Sequence, residues 1–187
     1  MNVLDAIYSR RATRNYTDRP VPKDAIELLI KAAIHAPSAM NLQPWAFGVI
    51  HCNHQRLEDY SKRAKAFVVD TLEPGSPLYE LRDSLLDPNF NLFYNAGTLI
   101  IIYAKPSGTD SAEDCCFAAE NMMLAAAEMG LATCPIGLAR PWLNLPETKQ
   151  ELGVPAGYTA VTPLILGYPN ETPETPQRKV PEIVFWK

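Results

Sequence analysis

An α+β fold, with helices layered against a central sheet, is what the sequence predicts, and three observations carry the reading. Helical and strand-like patterns follow one another in the order helix, helix, strand, helix, strand, helix, strand, helix, strand, ending in a tail; this is an α+β or three-layer sandwich pattern. The run "TLIIIY", residues 98–103, is continuously apolar, as suits a strand covered on both faces. The segment "CCFAAENMMLAAAEM", residues 115–129, is apolar nearly all round, which marks a central buried helix or an oligomer interface. With 187 residues, 47% hydrophobic and 20% charged, the chain can bury one sizeable core, and no internal repeat divides it.

The elements follow in order. Val3, Leu4, Ile7 and Tyr8 share one helical face, so a short helix opens the chain and ends near the arginines. A second helix has Pro22 at its first turn, an apolar stripe of Ile26, Leu29, Ile30, Ala33 and Ile34, and Pro37 as its stop. "WAFGVIH" reads as a strand, and Asn53 caps a helix through about Ala66. Residues 67–95, with Pro74, Gly75, Pro77 and "DPNFN", read as an irregular excursion. Ser111 and Asp114 resemble a capping-box start for the long apolar helix, which stops at Gly130. "ATCPIGL" and "YTAVTPLILG" read as strands, joined by a short helix from Pro146 to Gly153.

Composition excludes several classes. A net charge of −4 and a pI near 5.4 argue against a general nucleic-acid binder, although Arg10, Arg11 and Arg14, and Arg178 with Lys179, form local basic clusters able to bind one phosphate. No apolar stretch approaches a membrane span and the N-terminus lacks a secretory pattern, so a cytoplasmic protein is expected. The cysteines at 52, 115, 116 and 134 have neither the density nor the spacing of a disulfide framework and read as reduced thiols. The glycines form neither a dinucleotide fingerprint nor a P-loop, and His51 and His54 lack a third ligand at metal spacing; no metal is expected.

What remains is a distributed polar set. "SRRATR" taken alone is a solvated charge run; taken functionally it is a clamp of planar guanidiniums for a phosphate. "APSAMNLQPW", residues 36–45, is long and polar for a helix-to-strand connector: it either satisfies its own backbone or walls a ligand.

"SRRATRNYTDRPVP", "AAIHAPSAMNLQPWAFGVI", "EDCCFAAENMMLAAAEMGLATCPIGL" and "LGYPNETPETPQRKV", in that order, resemble the nitroreductase family of flavin enzymes. The resemblance spans most of the chain apart from roughly residues 53–95. It implies a three-layer α/β/α sandwich with a mixed, mainly antiparallel sheet, in one domain over 1–187 with a C-terminal arm at 170–187. It further implies an embracing homodimer holding FMN, and hydride transfer from NADH or NADPH to a small electrophile such as a nitroaromatic or quinone, in a ping-pong cycle.

Carried over by position, Arg10 and Arg14 resemble FMN-phosphate ligands, with Arg11 and Ala12 beside them. Many relatives have Ser where this chain has Ala12. Pro37, Ser38, Ala39, Asn41 and Gln43 resemble a loop that reaches the flavin from the partner subunit. Pro135, Ile136 and Gly137 resemble the segment over the ring, whose amides face its reactive side, and Arg178 with Lys179 resembles a second phosphate ligand. Asn89 or Asn91 is a further candidate for the pyrimidine edge. No catalytic acid or base is implied, because the flavin carries the chemistry. The alternatives are a non-catalytic FMN-binding or sensing protein, a specialised flavin reductase such as a dehalogenase, and a cofactor-free interaction domain.

Overall fold

Asn2 starts α1 (Val3–Ser9) with a reciprocal cap: its side chain accepts from the Asp5 amide at 2.9 Å, and the Asp5 carboxylate accepts from the Asn2 amide at 3.3 Å. The computed structural model describes residues 2–108, 110–171 and 173–187. Helix α2 (Lys23–Ala33) begins after Pro22, which takes the N-cap position with extended backbone and not the first turn. Strand β1 is Trp45–His51. Asn53 caps α3 (His54–Thr71) by accepting from the Arg56 amide at 3.0 Å. This helix runs to Thr71 and not to Ala66, because Val68 continues the buried stripe of Leu57 and Ala64.

The excursion contains a 3₁₀ turn at Tyr79–Leu81 and a short helix, α4 (Arg82–Leu86), anchored by Leu85. Strand β2 (Thr98–Ala104) leads to α5 (Ser111–Glu128) and β3 (Ala132–Pro135). Helices α6 (Arg140–Leu143) and α7 (Pro146–Leu152) precede β4 (Thr159–Gly167); Gly153 ends α7 in the left-handed conformation at φ 68°. The expected cap between Ser111 and Asp114 does not form. Asp110 takes the N-cap position without a side-chain cap, and both Asp114 carboxylate oxygens accept instead from the Ala39 amide, at 3.3 and 3.2 Å.

The sheet order is β1-β2-β4-β3, and every neighbouring pair is antiparallel. A parallel bridge between Ala12 and Thr133 lays the 10–16 segment along the free edge of β3. Side chains alternate across β2. Ile100, Ile102 and Ala104 join the core with α2 and α5, while Leu99, Ile101 and Tyr103 join the core with α3, α6 and the 92–96 segment. One sheet thus separates two apolar layers, which is the three-layer arrangement expected. Helix α5 buries Cys115, Ala118, Ala119, Met122 and Ala126 and leaves Phe117 exposed.

Candidate functional site

The parallel bridge at Ala12 aligns the 10–14 segment with the end of β3, and Arg14 joins that strand end in lining an open, largely apolar cavity of about 760 Å³. Its floor is the end of β3 and the turn after it: Cys134, Pro135, Ile136, Gly137 and Leu138. Its far wall comes from the end of α3 and the excursion, including Val68, Leu72, Leu78 and Leu81, with Leu92 and Tyr94 between. Ordinary ligand pockets have this size, this apolar lining and a few polar groups. Burial pushes the Cys134 thiol up, opposed in part by Arg14, so the thiol stays protonated at neutral pH.

Of the 135–137 segment, Pro135 has no amide hydrogen, and the Ile136 amide donates to the Pro163 carbonyl at 2.8 Å. The expectation that several of these amides face a ligand is therefore corrected. Gly137, at the open first position of the 137–139 turn, is the donor left, and a Cβ built on it meets nothing within 4 Å.

Beyond Arg14 lies a smaller polar compartment of about 240 Å³, lined by Asn15, Tyr16, Asn89, Asn91, Tyr94 and Asn95. Arg14 and Tyr94 line both spaces, and the guanidinium carbon sits 5.8 Å from the Tyr94 ring centroid. Tyr94 and Asn95 hold φ at 50° and 56°, a strained backbone for residues with side chains. Asn91 accepts from the Phe93 amide at 2.8 Å, which orients this wall.

The structure does not place Arg10 and Arg14 in one clamp. Arg10 and Arg11 line a separate space of about 230 Å³ between α1, α5 and β3. Because Arg14 and Arg10 line different spaces, they suit different parts of one ligand better than a single phosphate. Arg11 donates to the Tyr8 and Arg10 carbonyls at 2.6 and 2.8 Å and to Thr175 Oγ1 at 3.0 Å. Arg10 Nε is buried, lies 3.4 Å from Glu120 Oε1, and has no hydrogen-bond partner among the described residues.

The Pro37–Gln43 loop lines none of these spaces. Ser38 Oγ accepts from the Gln43 amide at 3.0 Å and Asn41 Oδ1 accepts from Gln43 Nε2 at 3.1 Å, so these polar groups tie the loop to itself. Met40, Asn41 and Gln43 have φ of 50°, 56° and 48°, and Met40 is 92% exposed. Arg178 and Lys179 lie on the exposed tail, away from the cavities of their own chain. Sequence reading missed Val68, Leu72, Leu78, Leu81 and Tyr94; the aromatic and amide-rich "DPNFNLFYN" was the available signal.

The nitroreductase family model matches residues 7–168. The chain belongs to the nitroreductase family. A candidate NADH dehydrogenase/NAD(P)H nitroreductase of Archaeoglobus fulgidus is 30% identical over 173 residues, covering 90% of this chain and 86% of that protein. A nitroreductase from Bacteroides fragilis, solved with bound FMN, matches 100% of this chain and 98% of its own with a TM-score of 0.83 at 28% identity. One from Desulfitobacterium hafniense, also solved with bound FMN, matches 100% of both chains with a TM-score of 0.81 at 26% identity. The nitroreductase fold of the chain and its oxidoreductase class rest on these matches together.

Proposed function

We propose that the chain is an FMN-dependent oxidoreductase that takes hydride from NADH or NADPH and passes it to a small electrophilic acceptor, such as a nitroaromatic or quinone, in a ping-pong cycle. The observation that carries the reading is the meeting of Arg14 with the Pro135–Gly137 backbone around one apolar cavity of about 760 Å³. The residues present fit the cofactor. An apolar space of this size accepts a flat ring system, Gly137 offers an amide in its lining, and the buried Arg10 Nε, ion-paired with Glu120 at 3.4 Å but without a hydrogen bond, leaves a donor that a phosphate oxygen can take.

FMN, when bound, supplies the two-electron chemistry. The chain positions and screens. Arg14 gives a permanent positive charge and bidentate donors at the polar end, and Arg10, with Arg11 and Ala12 alongside, holds the phosphate end. The apolar wall of Leu72, Leu78, Leu81 and Leu92 excludes water from the exchange and admits a flat neutral acceptor. No side chain is assigned proton transfer. His51 is taken up by a 2.6 Å contact of its Nε2 with the Val21 carbonyl.

The working unit in this proposal is a homodimer in the cytoplasm, with the Pro37–Gln43 loop, Arg178 and Lys179 completing the site of a second copy. Three exposed apolar groups support it: Val3, Leu4, Ile7 and Tyr8 on α1, Phe117 on α5, and Ile183 to Trp186 on the tail. No described helix is long and apolar enough to cross a membrane. The test is the visible spectrum of the natively purified protein and the identity of what heat releases. Stoichiometric FMN is expected; FAD, or a protein that stays colourless after incubation with FMN, overturns the proposal.

A further inference from the structure

Lys65 is a charged residue in a place where few are found. It projects from α3, is only 7% exposed, and lines none of the cavities described. Its ammonium donates to two main-chain carbonyls of the excursion, Asp87 at 2.8 Å and Phe90 at 2.5 Å. One turn earlier on the same helix face, buried Ser61 accepts from the Leu92 amide at 2.8 Å. A methionine would fill the same volume without the desolvation cost of a buried charge. The ammonium therefore specifies the path of the 87–92 backbone.

That path leads to the site through a chain of contacts. Lys65 Nζ stands 5.7 Å from the Phe90 ring centroid. Phe90 packs edge-on against Tyr94, with centroids 5.6 Å apart and planes at 79°. Tyr94 in turn underlies Arg14, with the guanidinium carbon 5.8 Å from its centroid. Tyr94 and Asn95 need outside support to hold their left-handed backbone, and Phe90 with the pegged 87–92 segment provides it. Arg14 makes no ion pair that would fix it independently among the described residues.

We propose that Lys65 is a positioning residue of the site: it pegs the excursion so that Phe90 and Tyr94 hold Arg14 at the junction of the apolar and polar compartments. It touches no ligand. The affinity arm of the test rests on the flavin reading above, and the backbone arm does not.

The backbone arm compares amide hydrogen exchange in ligand-free wild type and Lys65→Met. The Asn89–Tyr94 amides, Leu92 above all, should exchange at least about tenfold faster in the variant, with β2 amides unchanged. Unchanged protection of 89–94 overturns the proposal. The affinity arm is a double-mutant cycle by FMN titration of wild type, Lys65→Met, Arg14→Ala and the double variant. Lys65→Met should weaken binding about tenfold or more in the wild-type background and less than about threefold when Arg14 is absent. Equal losses in both backgrounds describe a residue that merely supports stability and overturn the relay. If Lys65→Met does not fold, Phe90→Leu leaves the lysine bonded to the carbonyls, breaks the relay at its second member, and carries the same cycle with the same expectations. A wild type that binds no FMN refutes the flavin reading alone, and hydrogen exchange then decides the inference.

Discussion

Arg14 and Tyr94 line both the apolar and the amide-rich compartment, so the polar end of the site is decided by how one guanidinium stands on one ring. A charge-assisted hydrogen bond contributes about 1.5 to 3 kcal/mol. Arg14→Ala should therefore weaken FMN binding about 10- to 150-fold, read by fluorescence titration; unchanged affinity would remove Arg14 from the site. Gly137→Ala separates stability from binding. Its Cβ meets nothing within 4 Å, so the unfolding midpoint should hardly move, while a methyl group now occupies ligand space and flavin affinity should fall. Arg14 and the 135–137 segment entered as candidates through the family resemblance and not through their local pattern, and the structure brings them to one cavity. Tyr94 did not enter, since its importance comes from a left-handed backbone and a neighbour some eighty positions away, which no local pattern encodes.

Between elements, the link from α5 to the 38–43 loop runs through Asp114, whose carboxylate is buried against the Ala39 amide. Asp114→Ala removes the acceptor and should cost about 1 to 3 kcal/mol, with new protease sensitivity confined to the loop. Denaturant unfolding and limited proteolysis check both halves. Here the sequence misled in a definite way: Ser and Asp three apart at a helix start have the capping spacing, but a tertiary partner took the carboxylate. The junction of β4 with the 12–17 segment is tighter. A Cβ on Gly167 would lie 2.7 Å from Tyr16 Cδ1, so Gly167→Ala should destabilise by about 1 to 3 kcal/mol.

The same layered packing sets an alkaline limit. Burial, reinforced by Tyr60, pushes the Tyr103 phenol up to about 12, and burial first, then Cys116 and Asp114, push the Cys115 thiol up to about 12. Both folded values exceed the ordinary ones, so the unfolded chain loses these protons first. Their contribution to stability is complete below about pH 8 and is lost as pH rises through about 12. Thermal melts should show a midpoint falling above about pH 9, less steeply in Tyr103→Phe than in wild type. A midpoint unchanged to about pH 11 contradicts this.

For the molecule as a whole, the apolar groups left outside are as informative as the core. Val184, Phe185 and Trp186 are 86%, 72% and 88% exposed, and α1 turns its apolar stripe outward, burying only Ala6. The continuous apolar run of β2 and the apolar stripe of α2 made the layers legible in sequence, because burial on both faces leaves an unbroken run and burial on one face leaves a helical period. Whether an apolar stripe faces its own core or another chain leaves the same period, so α1 could not be assigned. A chain ending at Glu174 should dimerise more weakly and bind FMN more weakly together, by sedimentation and flavin content. A truncated protein that stays dimeric and fully flavin-loaded contradicts the embracing tail.

Transfer in two stages through one site is open to direct test in an anaerobic half-reaction. FMN-loaded protein is mixed with NADH or NADPH without any acceptor, the nicotinamide is removed, and a quinone or nitroaromatic is then added. In a ping-pong cycle the yellow colour bleaches in the first stage and returns in the second. Colour that persists until nicotinamide and acceptor are present together would contradict it.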